Sequence, residues 1–172
     1  MSSFRIAYYK VHHPLAFYAV YFTVRADTFD IMRAAGGPEA VKKQIEAIEK
    51  DSNPQKTDSE KKKDKELVTI LELVYEMNLR GIELLPVDIY KSDATKFLIE
   101  GNALRPPFDA IPGVGAGQAI AICERRKPGI RYPTIEDFAN ETGANTGIVA
   151  MLESSGAFGD MPKNKQISLF DL

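Results

Sequence analysis

The residues Ile111-Pro112-Gly113-Val114-Gly115-Ala116-Gly117-Gln118-Ala119-Ile120-Ala121 form a glycine-broken turn that runs straight into a stretch of small and apolar residues with helical character. Gly113 and Gly115 lack Cβ, so the backbone there is free to take φ > 0 and to lie close to a ligand. The helix that follows would point its unpaired N–H groups and the positive end of its dipole at the same spot. Such a turn suits a phosphate. A glycine-rich nucleotide loop is the competing reading. Against it, Pro112 blocks an ordinary strand entry, and neither the Walker lysine-serine ending nor the full dinucleotide spacing with its later acid is present.

The pattern fits a helix-hairpin-helix, a clamp on nucleic-acid backbone that is indifferent to sequence. Glu124-Arg125-Arg126-Lys127 closes the helix with cations, and Pro128-Gly129 stops it. A weaker copy follows. Thr134 caps a helix through Asn140, Thr142-Gly143-Ala144-Asn145 makes a turn, and Thr146 to Ser154 returns. With a single glycine, the turn at Gly143, Ala144 and Asn145 brings its backbone less close to a ligand. It is either a second phosphate contact or a hairpin that pairs with the first to complete a five-helix core.

The charge balance narrows how nucleic acid could be held. The chain of 172 residues has 22 Lys and Arg against 24 Asp and Glu, a formal net charge of −2. A protein gripping DNA by bulk electrostatics is expected to be basic, so any grip here is local, through backbone amides and a few cations. The single cysteine, Cys123, excludes an internal disulfide framework and a multi-cysteine zinc site; its helical register makes it a small buried hydrophobe. The apolar stretch from Pro14 to Val24 is too short for a membrane span and carries tyrosines and a threonine. The abrupt start of the helical pattern at Phe4 reads as a piece of a longer chain, with Met1 to Ser3 a foreign leader.

Elsewhere the pattern is mostly helical. Two short helices fill Phe4 to Arg25, with a break at Pro14. Asp27 is expected to cap a helix through Met32 that ends at Gly36-Gly37, and Pro38 begins the next, to Lys50. Residues 51–64 are a charged linker, a solvated loop or helix entry, and Lys61 to Lys63 read as an exposed helix face because acids flank them. Leu67, Ile70, Leu71, Val74 and Met77 mark a helix that stops at Arg80-Gly81. Ile82 to Ile89 and Ala94 to Leu104, turning at Gly101-Asn102, read as short strands with one hairpin, ended by Pro106 and Pro107.

Catalytic constellations are missing from the pattern. His12 and His13 are adjacent, so on a helix they diverge by about 100° and do not share a metal. No acid dyad or Ser/His/Asp arrangement is readable. The last residues, Gln166-Ile167-Ser168-Leu169-Phe170-Asp171-Leu172, follow a polar spacer with large apolar groups. They read either as a segment that folds back or as a tethered peptide for a partner, the second being favoured.

The glycine turn, this tail, and Arg5-Ile6-Ala7-Tyr8-Tyr9-Lys10-Val11-His12-His13-Pro14-Leu15 together resemble the C-terminal end of PolC-type bacterial DNA polymerase III alpha subunits, from Phe4 to Leu172. The implied fold is mainly α with a small β element. Residues 1–80 would be a helical segment closing the polymerase fingers, 81–108 a short β connecting region, 109–160 a tandem helix-hairpin-helix domain, and 161–172 a flexible tail. The resemblance assigns Gly113, Val114, Gly115, Gly117 and Gln118 to a DNA phosphate, with Arg125, Arg126 and Lys127 as helpers. Gln166 becomes a polar anchor, and Leu169 and Phe170 apolar anchors, on the bacterial sliding clamp. The implied partners are duplex DNA, that clamp and the rest of the alpha chain in the bacterial cytoplasm, with no membrane. The related DnaE type continues into an OB domain after its hairpins, and this sequence does not. The family's Mg²⁺-binding palm carboxylates are expected upstream, so this segment needs no cofactor of its own and should not polymerise DNA alone. A free-standing repair module and an adaptor that does not bind DNA are the rival readings.

Overall fold

The structure, a computed structural model, describes residues 2–165. The tail residues Gln166, Leu169 and Phe170 lie outside them. Helices α1 (Ser3–His12) and α2 (Pro14–Val24) meet at His13, and Pro14 occupies the first turn of α2, where its missing N–H would have had no partner. The next helix differs from expectation. Asp27 lies in the turn that closes α2, where the Thr28 and Phe29 amides both donate to the Arg25 carbonyl. The cap is Asp30, whose Oδ1 accepts from the Met32 and Arg33 amides at 2.9 and 3.2 Å and starts the four-residue α3 (Ile31–Ala34). Phe29, buried between the two aspartates, makes this choice, because the chain must turn inward to seat it before a helix begins.

Helix α4 (Pro38–Lys50) packs along α5 (Asp58–Leu79). The charged linker is a loop only to Thr57. There the Thr57 hydroxyl accepts from the Glu60 amide and the Glu60 carboxylate accepts from the Thr57 amide, a reciprocal cap that starts α5. Lys61, Lys62 and Lys63 are exposed on it, and the helix stops at Gly81 with φ +81°.

The strands are shorter than the sequence suggests. β1 (Glu83–Leu84), β2 (Leu98–Glu100) and β3 (Ala103–Arg105) form a sheet of order β1-β3-β2, with β2 and β3 an antiparallel hairpin and β1 parallel to β3. Pro86 offers no N–H, and Asp88 then folds the backbone into a turn by accepting from the Tyr90 and Lys91 amides. Arg105, 6% exposed, ties the sheet together: its guanidinium pairs with the Glu100 carboxylate and donates to the Pro86 carbonyl at 2.8 Å.

One continuous apolar cluster joins both halves. Phe22, Phe29 and Phe97 meet in it at ring separations of 4.9–5.5 Å, and Tyr132, Phe138 and Phe158 extend it under the C-terminal helices. These helices are α6 (Ala116–Arg125), α7 (Ile135–Thr142) and α8 (Thr146–Ser154). Among the described residues, no helix is long and apolar enough to cross a membrane.

Candidate nucleic-acid interface

The glycine turn is held from beneath. A short 3-10 turn, Phe108–Ala110, precedes it, with the Phe108 ring fully buried and the Phe108 amide donating to the Asp93 carbonyl at 3.0 Å. Gly113 then takes φ +89°, and a Cβ placed there would lie 2.5 Å from the Met151 Cε on α8. Backbone conformation favours glycine at this position, and a Cβ would also have to displace the end of the Met151 side chain. Gly115 is different: its φ is −75°, an extended value open to any residue, which corrects the expectation of φ > 0 at both glycines. A Cβ at Gly115 would meet only the Gln118 Oε1 at 3.9 Å, and one at Gly117 would meet nothing within 4 Å. These two glycines leave the head of α6 bare.

The amides divide accordingly. The Val114 N–H donates to the Ile111 carbonyl at 3.0 Å, and the Val114 side chain is buried, so this residue closes the turn. The Gly115 N–H donates to the Gln118 Oε1 at 3.3 Å. The amides of Gly113, Ala116, Gly117 and Gln118 have no acceptor among the described residues. Because glycine stands at the cap, no side-chain oxygen is available to the Gln118 amide. At the second turn the equivalent donor is satisfied: the Asn145 Oδ1 accepts from the Ile148 amide at 2.9 Å, and Gly143 takes φ +72° to end α7. One helix is capped by its own chain, the other left open.

The neighbouring cations do not gather at that opening. Arg125 donates to the Thr142 carbonyl at 3.2 Å and lies against Gly143. Arg126 donates to the Ile89 and Ser92 carbonyls, both at 2.8 Å, and Lys127 pairs with Glu141. Each therefore has a partner within the chain at the far end of α6, while Arg125 and Lys127 stay exposed to solvent. Arg125 and Met151 join the hairpins, one reaching from α6 to the second turn, the other from α8 to the first.

His12 and His13 are exposed and lie near the Tyr8 and Tyr9 rings, and among the described residues no group of three or more His, Cys, Asp or Glu stands together as metal ligands. Cys123 is half-buried, and burial pushes its thiol pKa up, away from the reactive thiolate. Asp109 also stands at the site, though no motif in the sequence marks it. It is 9% exposed beside the glycine turn, and its signal was an acid set within the otherwise apolar run from Pro106 to Pro112.

Residues 81–167, half of the chain, match the helix-hairpin-helix motif family. The chain belongs to that family. Over almost its whole length it is also similar to one segment of much longer proteins. It is 45% identical over 170 residues to the DNA polymerase III PolC-type of Caldanaerobacter subterraneus subsp. tengcongensis, covering 99% of this chain and 12% of that protein. The PolC-type polymerase of Thermotoga maritima is 44% identical over 98% of the chain and 12% of its own length, and that of Bacillus subtilis 41% over 99% and 11%. The PolC resemblance drawn from the sequence therefore holds, and the helix-hairpin-helix chain corresponds to a segment spanning about an eighth of those relatives.

Proposed function

We propose that this helix-hairpin-helix segment holds the phosphate backbone of duplex DNA behind the catalytic centre of a PolC-type polymerase and helps tether that enzyme to its sliding clamp. The observation that carries the reading is the head of α6, where the Ala116, Gly117 and Gln118 amides have no acceptor among the described residues and two glycines leave the approach clear. Aligned amides at a helix N-terminus bind an anion without base contacts, so affinity is indifferent to sequence. The second turn, at Gly143, Ala144 and Asn145, is a weaker contact because its cap is internal.

Few phosphates are neutralised, since no Lys or Arg lines the opening beside the glycine turn. Plotted as log affinity against log salt, duplex binding should have a slope of about −2 to −4, and a slope of about −8 would show that a basic surface, not the amide turn, carries the contact. Phe4, Tyr8 and Val11 on α1, with Val20 and Val24 on α2, are exposed apolar groups suited to burial by the rest of the polymerase chain. The catalytic carboxylates and Mg²⁺ belong to that remainder, and this segment alone should not extend a primer.

The tail gives the clamp contact its chemistry. Gln166 supplies a polar anchor, and Leu169 with Phe170 supply apolar groups for a pocket. So short a peptide binds with an affinity on the order of micromolar, and tethering to enzyme already on DNA raises its effective concentration. Titrating the chain with a purified bacterial sliding clamp is expected to show this binding, lost by about tenfold or more in the Leu169→Ala, Phe170→Ala double variant. Equal binding by both would place the contact elsewhere.

A further inference from the structure

Beside the glycine turn is a cavity of about 330 Å³ whose walls include Asp27, Phe29, Asp109, Gly113 and Ala116. Two carboxylates therefore share a cavity with Ala116, whose open amide belongs to the proposed phosphate site. Asp109 is the deeper one. Its Oδ1 is buried and has no hydrogen-bond partner among the described residues, and its own amide donates to the Ala94 carbonyl at 3.2 Å. Among the described residues no cation pairs with it. Arg126, on the helix packed against Phe108, lies 5.8 Å from the Phe108 ring and is held by the Ile89 and Ser92 carbonyls; the other titratable groups on this side are Asp27, Asp93 and the Cys123 thiol.

A phosphate arriving at the head of α6 meets like charge, and because the Asp109 carboxyl is buried its repulsion is stronger than in water. We propose that Asp109 is an affinity-determining residue of the hairpin, taking up a proton from solvent as phosphate binds. The neutral acid removes the repulsion and has an O–H to donate to a phosphate oxygen. The inference rests on the duplex-binding reading above. Burial first, then the charges of Asp27 and Asp93, already push the Asp109 pKa up to about 6, so little further bias is needed. The direction of the linkage follows. An acid whose folded pKa is raised contributes stability below its ordinary range and loses that contribution as pH rises through about 6.

The test is duplex affinity by fluorescence anisotropy between about pH 5.5 and 7.5 at fixed ionic strength, for this chain and for Asp109→Asn. A phosphate-linked rise of the Asp109 pKa from about 6 to about 7 makes wild-type binding tighten by about sixfold more than the variant's over that span. Asp109→Asn should bind at the higher pH as tightly as wild type does at the lower. Calorimetry in two buffers of different ionisation enthalpy should show proton uptake by wild type alone. Asp27→Asn, which removes a neighbouring charge, should move the wild-type midpoint to lower pH. Duplex binding with the same pH profile in wild type and Asp109→Asn overturns this inference while leaving the hairpin reading standing, as does affinity that rises with added Mg²⁺ in place of protons. Absence of duplex binding by both proteins overturns the hairpin reading and this inference with it.

Discussion

Gly113→Val should lower stability by about 3 kcal/mol, the sum of roughly 1–2 for holding an L residue in a left-handed conformation and roughly 1–3 for overpacking. Both causes are visible at one position: φ is +89°, and the Met151 Cε lies 2.5 Å from where the first side-chain carbon would stand. For a chain of this size the melting temperature should fall by roughly 10 °C. Met151→Ala removes the steric part alone, so Gly113→Ala should be tolerated better in that background than with Met151 in place, though still below the parent. A Gly113→Val protein that melts with the parent would mean that the turn does not have this shape. The loss is expected to reach function too, because Gly113 aims the chain into α6.

Gly115→Val should do the reverse. Its backbone is extended, and a Cβ there would meet only the Gln118 Oε1 at 3.9 Å, so the fold should keep its packing. Replacing a glycine cap by a β-branched residue costs about 1 kcal/mol at most. Duplex affinity, in contrast, should fall by about thirtyfold or more, since two lost hydrogen bonds to a charged oxygen are worth roughly 2 kcal/mol or more. Circular dichroism and anisotropy on one sample separate the two effects. The two glycines, one residue apart, thus test different things: Gly113 the shape of the turn, Gly115 its accessibility.

Local and distant interactions differ in how far the sequence reveals them. The helices were legible because apolar spacing and caps are local: the run from Leu67 to Met77, Pro14 and Pro38 in first turns, and Gly81 and Gly143 as stops all stand where expected. The parallel pairing of β1 with β3 was not legible, since Glu83 meets Ala103 across an intervening loop and hairpin. Asp27 and Asp30 are equal as caps by residue type, and only the burial of Phe29 between them decides. In the candidate site, the sequence showed which residues lack a Cβ but not which glycine would need that freedom. Nor did it show where Arg125, Arg126 and Lys127 would point, because their partners Thr142, Ile89, Ser92 and Glu141 are distant in the chain. Here the basic run ties the far end of α6 to the body.

The most direct measurement is the affinity of this chain for a short duplex of arbitrary sequence at low salt, compared with Gly115→Val at matched folded fraction. The account predicts binding by the parent, indifferent to base sequence, and its loss in the variant with the far-ultraviolet spectrum unchanged. Equal affinity in the two proteins would contradict the central claim that the open amides at the head of α6 hold the DNA backbone.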